Sequence, residues 1–350
     1  MGWSRKQGNG DLKLGAFFGF SQSFFGSGDR DFMPELPEVE TVARDLEPLI
    51  LGKSITEVWW SGKKMRLPWT NSWDRALEGL IFTKVSRRAK WLVLHLAERG
   101  AGWDWTGGSA LIAHLGMTGQ LTFVRRGKEY ELPKDHVHLR FGLVSSGKKA
   151  NGLNEGLRRD FEAGELKFRD IRRFGGMAYA KDSAEVDLFF AKHRLGPEPW
   201  DCPLDGWLGA LSGTKRLIKA VLLDQSVISG VGNIYADESL HAAGIHPCRM
   251  ASSLSEAEGA KLLEMADSVM RKAIENRGST IRDYVGGENL NGGHQDSLLV
   301  YGREGEACFR CGILIKRFVV AGRSSHFCPV CQKAPKEAGA KPVRQRRGPA

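Results

Sequence analysis

Two pairs of closely spaced cysteines near the C-terminal end place the tightest constraint on how this chain folds. Cys308 and Cys311 form one Cys-x-x-Cys pair, and Cys328 and Cys331 form a second pair after sixteen intervening residues. Each pair can form a tight turn with both sulfurs on one side, so two such turns supply four thiolates in a tetrahedral arrangement. Four thiolates leave no coordination position for water. The spacing therefore predicts one structural Zn²⁺ site, with an iron–sulfur cluster or a redox dithiol as the alternative.

The segment between the two cysteine pairs predicts a β-hairpin with basic residues at its tip. Lys316, Arg317, Phe318 and Arg323 lie in this segment. Basic side chains on a hairpin suit the phosphates that border a nucleic-acid groove. The alternative is a zinc ribbon that only packs two domains together.

The net charge of the chain favours a polyanionic partner, but the charge is unevenly distributed. Of the net +10, about half lies after Cys331, where six basic residues face one acidic residue. The first 32 residues contribute +1, which leaves +4 for the middle of the chain. Nucleic-acid binding by the middle therefore depends on where its charges lie. No apolar run approaches the roughly 18 residues of a membrane helix, so we expect a protein that does not span a membrane.

Hydrophobic periodicity divides the chain into a β-rich part and a helical part. From Met33 to about Phe174 the pattern alternates between turns and short apolar runs, which predicts a sandwich or a barrel. Pro37–Leu49 is an exception and predicts an amphipathic helix. From about Ala184 to Val285 the pattern is helical, and Ser255-x-x-Glu258 is typical of a capping box. The length of 350 residues is sufficient for two or three domains.

The segment Met33–Thr41 reads MPELPEVET and resembles the start of a protein, although 32 residues precede it. A proline at a free N-terminus carries a secondary amine that can attack a sugar C1′ and form an iminium, and Glu35 beside Pro34 could handle the protons. An α-amine has a pKa of ~8 against ~10.4 for lysine, so more of it is nucleophilic at neutral pH. We therefore expect the working protein to begin at Met33 and to lose that methionine. Where residues 1–32 are present, we expect them near the pocket.

Two turns and one strand end carry side chains suited to nucleic acid, each with a plainer alternative. Lys90 enters an apolar strand and could hold a phosphate or transfer protons, or be a solvated strand end. Met117 lies in the Gly-flanked turn His114–Gly119, where an apolar tip could wedge between bases or pack into the core. Arg172 and Phe174 could fill the gap left by an extruded base, or Phe174 could be buried at a strand edge.

The loop Ser229–Asn233 precedes a predicted helix and is a candidate phosphate site. Helix N-termini offer free N–H groups and the positive end of a dipole, which bind phosphate. Asn233 could cap this helix or donate its amide to a phosphate, and Lys219 lies one helix earlier. A capped structural turn is the alternative.

Seven motifs occur in one order along the chain: MPELPEVET, RRAK, HLGMTG, DIRRFG, KRLIKAVLLDQ, GVGNIYADE and the paired cysteines. From Met33 to about Lys333 the chain resembles the bacterial formamidopyrimidine-DNA glycosylases. The related endonuclease-eight branch usually opens PEGPE and lacks the HLGM turn, so Leu36 and Met117 favour the formamidopyrimidine branch.

The resemblance implies an α+β multidomain fold. We expect an N-terminal catalytic β-sandwich with flanking helices at 33–182, a helix-two-turn-helix domain at 183–292 and a zinc ribbon at 293–333. A basic tail at 334–350 would add non-specific DNA affinity, and 1–32 would be an extension absent from the active enzyme. The expected protein is a cytoplasmic, nucleoid-associated monomer whose partner is double-stranded DNA with oxidised bases or abasic sites.

The resemblance also implies a bifunctional DNA glycosylase and AP lyase that removes oxidised purines. Pro34 would be the nucleophile, Glu35 the general acid/base at the sugar ring oxygen, and Lys90 a phosphate contact that assists proton transfer. Glu38 would lie near the lesion. The void left by the extruded base would be filled by three residues, namely Met117, Arg172 and Phe174. Phosphates would be held by Lys219, Asn233 and Arg323, and Arg323 would help the second elimination.

Two points of the resemblance stay open. One of Lys134 and His136 would be a further DNA contact. The lesion-recognition loop of the family often reads Gly-Tyr-Phe-Gln, whereas the corresponding stretch here is Gly292-Gly293-His294-Gln295. Oxidised pyrimidines are therefore the alternative substrates, and a non-catalytic damaged-DNA-binding protein is the alternative if Pro34 is never N-terminal.

Overall fold

The computed structural model describes residues 33–98, 108–126, 135–145, 163–279 and 294–335. Predictions for residues 1–32, for Lys134 and for the tail after 335 lie outside the described residues. The helices are α1 (Leu36–Ile50), α2 (Ser72–Leu77), α3 (Ser183–His193), α4 (Leu204–Ser212), α5 (Ile218–Leu222), α6 (Asn233–Ala243) and α7 (Glu256–Glu275). None of the described helices is long and apolar enough to cross a membrane.

Eight antiparallel strands form one hydrogen-bonded sheet in the order β5-β7-β6-β1-β2-β3-β4-β8. These strands are β1 (Lys53–Trp60), β2 (Ile81–Arg88), β3 (Trp91–Ala97), β4 (Ser109–His114), β5 (Gly119–Arg125), β6 (Val137–Ser145), β7 (Gly164–Asp170) and β8 (Gly176–Ala180). Two further strands, β9 (Lys316–Val320) and β10 (Arg323–Phe327), pair with each other.

The connection between β4 and β5 forces the large sheet to fold back on itself. The two strands are six positions apart in the sheet, which is about 29 Å if the sheet were flat. Only Leu115–Thr118 joins them, and five Cα–Cα steps reach at most about 19 Å. The sheet must therefore curl so that its two ends approach each other, as they do in the expected sandwich. The predicted sandwich is confirmed, and the fold places the β4–β5 turn beside the β7–β8 turn.

Helix α1 supplies one wall of the sandwich core. Its apolar residues Val39, Val42 and Leu46 are at most 1% exposed and cluster with sheet residues such as Phe82 and Phe141. The spacing of three and four residues in this stripe puts its members on one helix face. Burial of each large aliphatic side chain contributes about 1.5–3 kcal/mol. The predicted amphipathic helix is confirmed, and it directs Glu35, which precedes α1, towards the second core.

The second core is helical and lies around α6 and α7. Tyr235 and Leu240 of α6 are fully buried, as are Leu262 and Met270 of α7. The predicted capping box is present, because Ser255 Oγ accepts from Glu258 N–H and the Glu258 carboxylate accepts from Ser255 N–H.

The zinc-ribbon hairpin differs from the expectation in one respect. Lys316 pairs with Phe327 and Val320 pairs with Arg323, so the tip is formed by residues 321 and 322. Arg323 is therefore next to the tip, whereas Lys316 lies at the opposite end of the hairpin. Of the basic residues expected at the tip, the pairing register puts only Arg323 there.

Candidate active site and nucleic-acid interface

Glu35 lies where the two cores meet and caps helix α6. Its carboxylate accepts N–H groups from Gly232 at 2.7 Å, Ile234 at 2.8 Å and Tyr235 at 3.3 Å, and the residue is 2% exposed. The first N–H groups of a helix have no partner within the helix, and a carboxylate satisfies them. This helix N-terminus is therefore the capped structural turn that we gave as the alternative, and its cap is a carboxylate from the N-terminal segment. A phosphate contact by Asn233 stays a prediction.

Two glycines allow this close approach. A Cβ on Gly232 would lie 2.3 Å from the carboxyl carbon of Glu35, and a Cβ on Gly230 would lie 2.3 Å from Leu36 Cδ1. Gly230 also has φ of +89°, which disfavours other residues. Gly230 and Gly232 of the Ser229–Asn233 loop thus leave room for Leu36 and Glu35.

The environment of Glu35 keeps a proton available near neutral pH. Burial raises its pKa from 4.5 to about 7, and the neighbouring Glu38 raises it as well. The Lys90 ammonium and the helix N–H groups oppose this shift. A carboxyl with such a pKa can act as a general acid and then as a base around pH 7.

Lys90 lies in the same electrostatic environment. Its Nζ donates to the carbonyl of Val231 at 3.0 Å, beside the loop that seats Glu35. Burial lowers the pKa of Lys90, and Glu35 and Glu38 oppose that effect. Arg323 also lowers it, which brings the tip of the zinc ribbon into the field of the site. A lysine with a lowered pKa gives up its proton more readily than a solvated strand end does.

Glu38 links the N-terminal helix to the helical core. One carboxylate oxygen accepts from Tyr235 Oη at 2.5 Å and from Ser279 N–H at 2.9 Å, and the other accepts from Glu35 N–H at 3.0 Å. Burial raises its pKa. Glu38 is fully buried, and its hydrogen bond with the Glu35 N–H fixes the backbone of Glu35.

Pro34 is buried and directly precedes Glu35. In the 350-residue chain its nitrogen is bonded to the carbonyl carbon of Met33, which makes it a tertiary amide. An amide nitrogen has no lone pair to offer to a sugar carbon, because resonance delocalises it.

Lys90 is positioned by a buried ion pair that the sequence analysis did not predict. Arg87 donates both terminal nitrogens to Glu198 at 2.7 and 2.9 Å, and its Nε donates to Glu40 at 2.9 Å. Glu198 also accepts Ala89 N–H at 2.7 Å. The turn that presents Lys90 is therefore tied to a residue just before α4. The RRAK motif contained Arg87, but its acidic partner lies 111 residues away.

The three residues expected to fill the void meet at one exposed corner of the sandwich. Arg172 Nη1 lies 3.5 Å from Met117 Sδ, and the Arg172 guanidinium carbon lies 5.5 Å from the Phe174 ring centroid. Phe174 is 49% exposed, so the alternative of a buried phenylalanine is wrong. Met117 is half-buried and Arg172 is exposed. An exposed aromatic beside a cation and a thioether is suited to stacking on bases.

Lys219 does not have the environment that a phosphate contact requires. Its Nζ donates to Asp237 Oδ1, to the Ser324 carbonyl and to Ser325 Oγ, each at 2.7 Å. The residue is 0% exposed. An ammonium has three N–H donors, so all are used. The expected direct phosphate clamp is therefore corrected: in this structure Lys219 fastens the zinc ribbon to the helical core.

The other expected DNA contacts are in more open positions. Asn233 is the first residue of α6, and its Nδ2 makes long contacts of 3.5 Å to Tyr301 Oη and 3.4 Å to Ser324 Oγ. Arg323 is exposed beside the hairpin tip. His136 is exposed with φ of +63°, and Lys134 lies outside the described residues.

Two acidic residues of α6, also missed by sequence reasoning, hold the zinc module. Glu238 accepts the N–H groups of residues 299, 300 and 301 at 2.8–2.9 Å. Asp237 accepts His326 N–H at 2.8 Å in addition to the Lys219 ammonium. Helix α6 therefore contacts Glu35 at its start and the zinc ribbon along its length.

The four cysteines form a cluster that fits one zinc ion. Cys308 Sγ lies 3.9 Å from Cys331 Sγ, Cys311 Sγ lies 3.4 Å from Cys328 Sγ, and all four sulfurs lie within 4.8 Å of one another. A tetrahedron with Zn–S bonds of ~2.3 Å has edges of about 3.8 Å, close to these distances. The prediction of one structural Zn²⁺ is confirmed.

The domain order matches one family along most of the chain. Residues 33–177 match the formamidopyrimidine-DNA glycosylase N-terminal domain, and 195–285 match the H2TH domain of the same enzymes. Residues 305–334 match the zinc finger found in FPG and IleRS. The formamidopyrimidine-DNA glycosylase of Desulforamulus reducens is 39% identical over 307 residues, which cover 86% of this chain and 100% of that protein. That of Moorella thermoacetica is 41% identical over 289 residues, covering 81% and 94%.

Solved structures of DNA complexes share the fold. A Lactococcus lactis Fpg mutant bound to a Fapy-dG containing DNA has a TM-score of 0.73 and 33% identity, covering 86% of this chain and 100% of its own. Lactococcus lactis Fpg with an abasic site containing DNA has a TM-score of 0.72 and 32% identity at the same coverage. Over three matched domains, this chain therefore belongs to the formamidopyrimidine-DNA glycosylase family, whose members are base-excision-repair enzymes with glycosylase and AP lyase activity.

Proposed function

We propose that the active form of this protein begins at Pro34, excises oxidised purines from double-stranded DNA and cuts the abasic site that results. The preferred lesions are 8-oxoguanine and formamidopyrimidines paired in duplex DNA. One observation carries the proposal: the buried Glu35 carboxyl, with its pKa raised to about 7, directly follows the buried Pro34. A nucleophile and an acid/base group are thereby fixed as chain neighbours.

In the proposed reaction the Pro34 amine attacks C1′ of the extruded nucleotide. A bond forms between this nitrogen and C1′, while the bond from C1′ to the base breaks and its electron pair leaves with the base, which takes up a proton. The nitrogen then loses its own proton to water. Its lone pair expels the ring oxygen O4′, which receives the Glu35 proton, and an iminium remains at C1′.

The iminium makes the two eliminations possible. It acidifies C2′, so loss of a C2′ proton breaks the C3′–O bond and releases one phosphate. A second loss of a proton along the conjugated chain breaks the C5′–O bond and releases the other. Lys90 interacts electrostatically with both Glu35 and Arg323, and the positive charges of Lys90 and Arg323 suit phosphate leaving groups. Water finally hydrolyses the iminium and frees Pro34.

DNA binding in this proposal uses two regions of the molecule. Met117, Arg172 and Phe174 enter the stack where the base leaves, and Asn233 and Arg323 border the lesion phosphates. The enzyme cannot reach C1′ in a stacked duplex, so the nucleotide must be extruded at a cost of a few kcal/mol. The DNA complexes of the Lactococcus lactis relative support this substrate class. A monomeric state and a cytoplasmic location stay predictions.

The test compares a chain that begins at Pro34 with the 350-residue chain that begins at Met1. Each is incubated with a duplex containing 8-oxoguanine opposite cytosine and reduced with borohydride, and covalent complexes are counted. We expect trapping by the first chain and none by the second, since an amide nitrogen cannot form an iminium. Equal trapping by both chains would show that another amine, such as Lys90, is the nucleophile, and peptide mass spectrometry would identify it.

A second comparison separates catalysis from damaged-DNA binding and purines from pyrimidines. The Glu35→Gln variant keeps an oxygen that can cap α6 but has no proton to give, so it should bind the duplex and excise slowly. A protein that only binds DNA would show no difference between this variant and its parent. Rates on 8-oxoguanine, on a formamidopyrimidine and on an oxidised pyrimidine then rank the substrates. A higher rate on the pyrimidine would reverse our assignment.

A further inference from the structure

Asp170, the last residue of β7, collects hydrogen bonds from two exposed turns. It is 0% exposed, and one of its carboxylate oxygens accepts from Thr118 Oγ1 at 2.6 Å and from Arg172 N–H at 3.2 Å. The other oxygen accepts Gly175 N–H at 2.7 Å. Hydrogen bonds to a carboxylate are about twice as strong as neutral ones. The carboxylate thus ties the β4–β5 turn, which carries Met117, to the β7–β8 turn.

The Thr118 hydroxyl links the same two turns a second time. It donates to Asp170 and accepts Arg172 N–H at 3.1 Å, so both capacities of the hydroxyl are used. Thr118 is 9% exposed, and its partners hold it away from solvent.

The two turns also contact each other through their backbones. A Cβ on Gly116 would lie 2.4 Å from Gly175 N, and a Cβ on Gly175 would lie 2.4 Å from the His114 carbonyl oxygen. Gly116 N–H donates to His114 Nδ1 at 2.9 Å, which fixes the start of the first turn. Contacts of this kind leave little room for one turn to move without the other.

The backbone of Asp170 extends the arrangement to a third segment. Its N–H donates to the His136 carbonyl at 2.9 Å, and its carbonyl accepts from His138 Nε2 at 2.9 Å. The carbonyl can only accept, so the proton is on Nε2 of His138 and its Nδ1 accepts from Ser61 Oγ at 3.1 Å. His136 is exposed and is one of the two residues, with Lys134, of which we expected one to contact DNA.

We propose that Asp170 and Thr118 are positioning residues that hold Met117, Arg172 and Phe174 as one preformed wedge for the extruded base. This inference rests on the proposed function and goes beyond it, because neither residue reaches the reacting atoms. Every side-chain hydrogen bond that we describe for Asp170 goes to one of the two turns. The wedge residues themselves are half-buried or exposed, so the sandwich core does not fix them. A wedge offsets the cost of unstacking best if it need not be ordered on binding.

The test uses three variants of the chain that begins at Pro34. Thr118→Val removes the bridging hydroxyl at nearly constant shape, Thr118→Ser keeps it, and Asp170→Asn replaces one acceptor by a donor. On an 8-oxoguanine duplex in single-turnover conditions, we expect excision by the Val and Asn variants to slow about 10- to 100-fold, the range of one charge-assisted hydrogen bond. Trapping on a single-stranded abasic oligonucleotide needs no wedge and should stay within about twofold of the parent. The Ser variant should match the parent in both assays.

A fluorescence measurement reports the wedge without any chemistry. A 2-aminopurine placed opposite a tetrahydrofuran abasic analogue brightens when it is unstacked, and the parent chain should produce this change on binding. The Val variant should give a smaller change at saturating protein. The parent chain could form no covalent complex with DNA and still increase the 2-aminopurine fluorescence. The proposed function would then be wrong, and the wedge inference would be judged from the fluorescence of the variants alone.

Two outcomes would overturn the inference. One is equal brightening and equal duplex excision by the Thr118→Val variant and the parent. The other is an equal loss on single-stranded and duplex substrates, which would mean that the hydroxyl supports the fold as a whole. If Asp170→Asn does not fold, the comparison of Val with Ser at position 118 carries the test, because both keep the carboxylate.

Discussion

Lys90 and Lys219 have the same charge and were both expected to contact phosphate, Lys90 with an added part in proton transfer, but the structure gives them different hydrogen-bond partners. Lys90 is half-buried and donates to the Val231 carbonyl, in the field of two carboxyl groups and one arginine. Lys219 is fully buried, with all three donors bound to Asp237 and to the first residues of β10. Burial lowers the pKa of both lysines, but Asp237 is a direct partner for Lys219 alone.

The difference shows what makes a lysine available for chemistry. A buried ammonium with three good partners has no donor left for a phosphate, and it serves to hold two elements together. An ammonium with few partners beside a buried carboxyl can exchange a proton. The spare hydrogen-bonding capacity, and not the charge, separates the two roles.

The largest expected effect is on activity and concerns Lys90. In the Lys90→Met variant we expect single-turnover excision to fall by about 10²- to 10⁴-fold, the usual contribution of a proton-transfer group. Its unfolding free energy should change by no more than about 1 kcal/mol, since one hydrogen bond is lost. Gel assays measure the excision rate, and urea unfolding measures the free energy of unfolding. If the Lys90→Met variant lost several kcal/mol of stability but kept its excision rate, Lys90 would have the structural role that we assign to Lys219.

The next effect is on stability and concerns Lys219. The Lys219→Met variant leaves the Asp237 carboxylate buried without its cation, which costs about 3–5 kcal/mol of unfolding free energy. The Lys219→Met, Asp237→Asn double variant removes the stranded charge and keeps an acceptor for His326 N–H, so it should recover most of that loss. Urea unfolding of the two variants gives the comparison. If the double variant is no more stable than the single one, the ion pair does not account for the loss.

The third effect is a pH dependence of stability that arises from Glu35, whose pKa Lys90 should influence more than Lys219 does. Glu35 binds its proton more tightly in the folded than in the unfolded protein, because its folded pKa is raised from 4.5 to about 7. Stability should therefore fall as the pH rises from about 4.5 to about 7 and should then level off. The Glu35→Gln variant should show a smaller fall, as measured by urea unfolding across that range, because Glu38, whose pKa burial also raises, keeps its own contribution.

The lysine variants sharpen this third prediction. Lys90 lowers the Glu35 pKa, so Lys90→Met should raise it further, and a carbon NMR titration of the Glu35 carboxyl would follow the change. Lys219→Met should shift it in the same direction but by less, since Lys219 interacts mainly with Asp237. A larger shift with Lys219→Met would contradict the comparison.

The smallest effect is on chemical reactivity and depends on zinc. Reductive methylation should modify Lys90 quickly and Lys219 slowly in the zinc-loaded protein. Two of the three Lys219 partners belong to residues 324 and 325, between the cysteine pairs. Chelation of zinc should loosen this hairpin and raise the modification of Lys219 several-fold, with Lys90 nearly unchanged, as read by peptide mass spectrometry. An unchanged Lys219 rate after zinc removal would count against the link.

Features that depend on local spacing were predictable from the sequence. The cysteine spacing predicted the zinc cluster, and the apolar stripe from Val39 to Leu46 predicted α1 and its buried face. The Met117 and Phe174 turns were found because their glycines predict turns, whereas the exposure of Phe174 became known only from the structure. The domain boundaries that we assigned stay predictions.

Features that depend on distant partners were not predictable in the same way. The bonds from Glu35 to α6 and from Arg87 to Glu198 leave no periodic pattern, because each joins residues more than 100 positions apart. The error for Lys219 has the same origin, since the buried Asp237 and the β10 residues that occupy it are not its neighbours in sequence. The sequence likewise left open whether the helix N-terminus after Ser229–Gly232 binds phosphate or is capped, because the capping Glu35 lies almost 200 residues away.

The cap that Glu35 places on α6 has a consequence for the timing of synthesis. Its partners follow it by 197 to 200 residues, so a ribosome must make and release most of the enzyme before the carboxyl loses its water. Until then Glu35 is an ordinary solvated acid, ionised at neutral pH. A nascent chain can thus expose Pro34 early without possessing a working acid beside it. The acid/base group of the proposed reaction therefore forms only after α6 has been synthesised and has docked on the N-terminal segment.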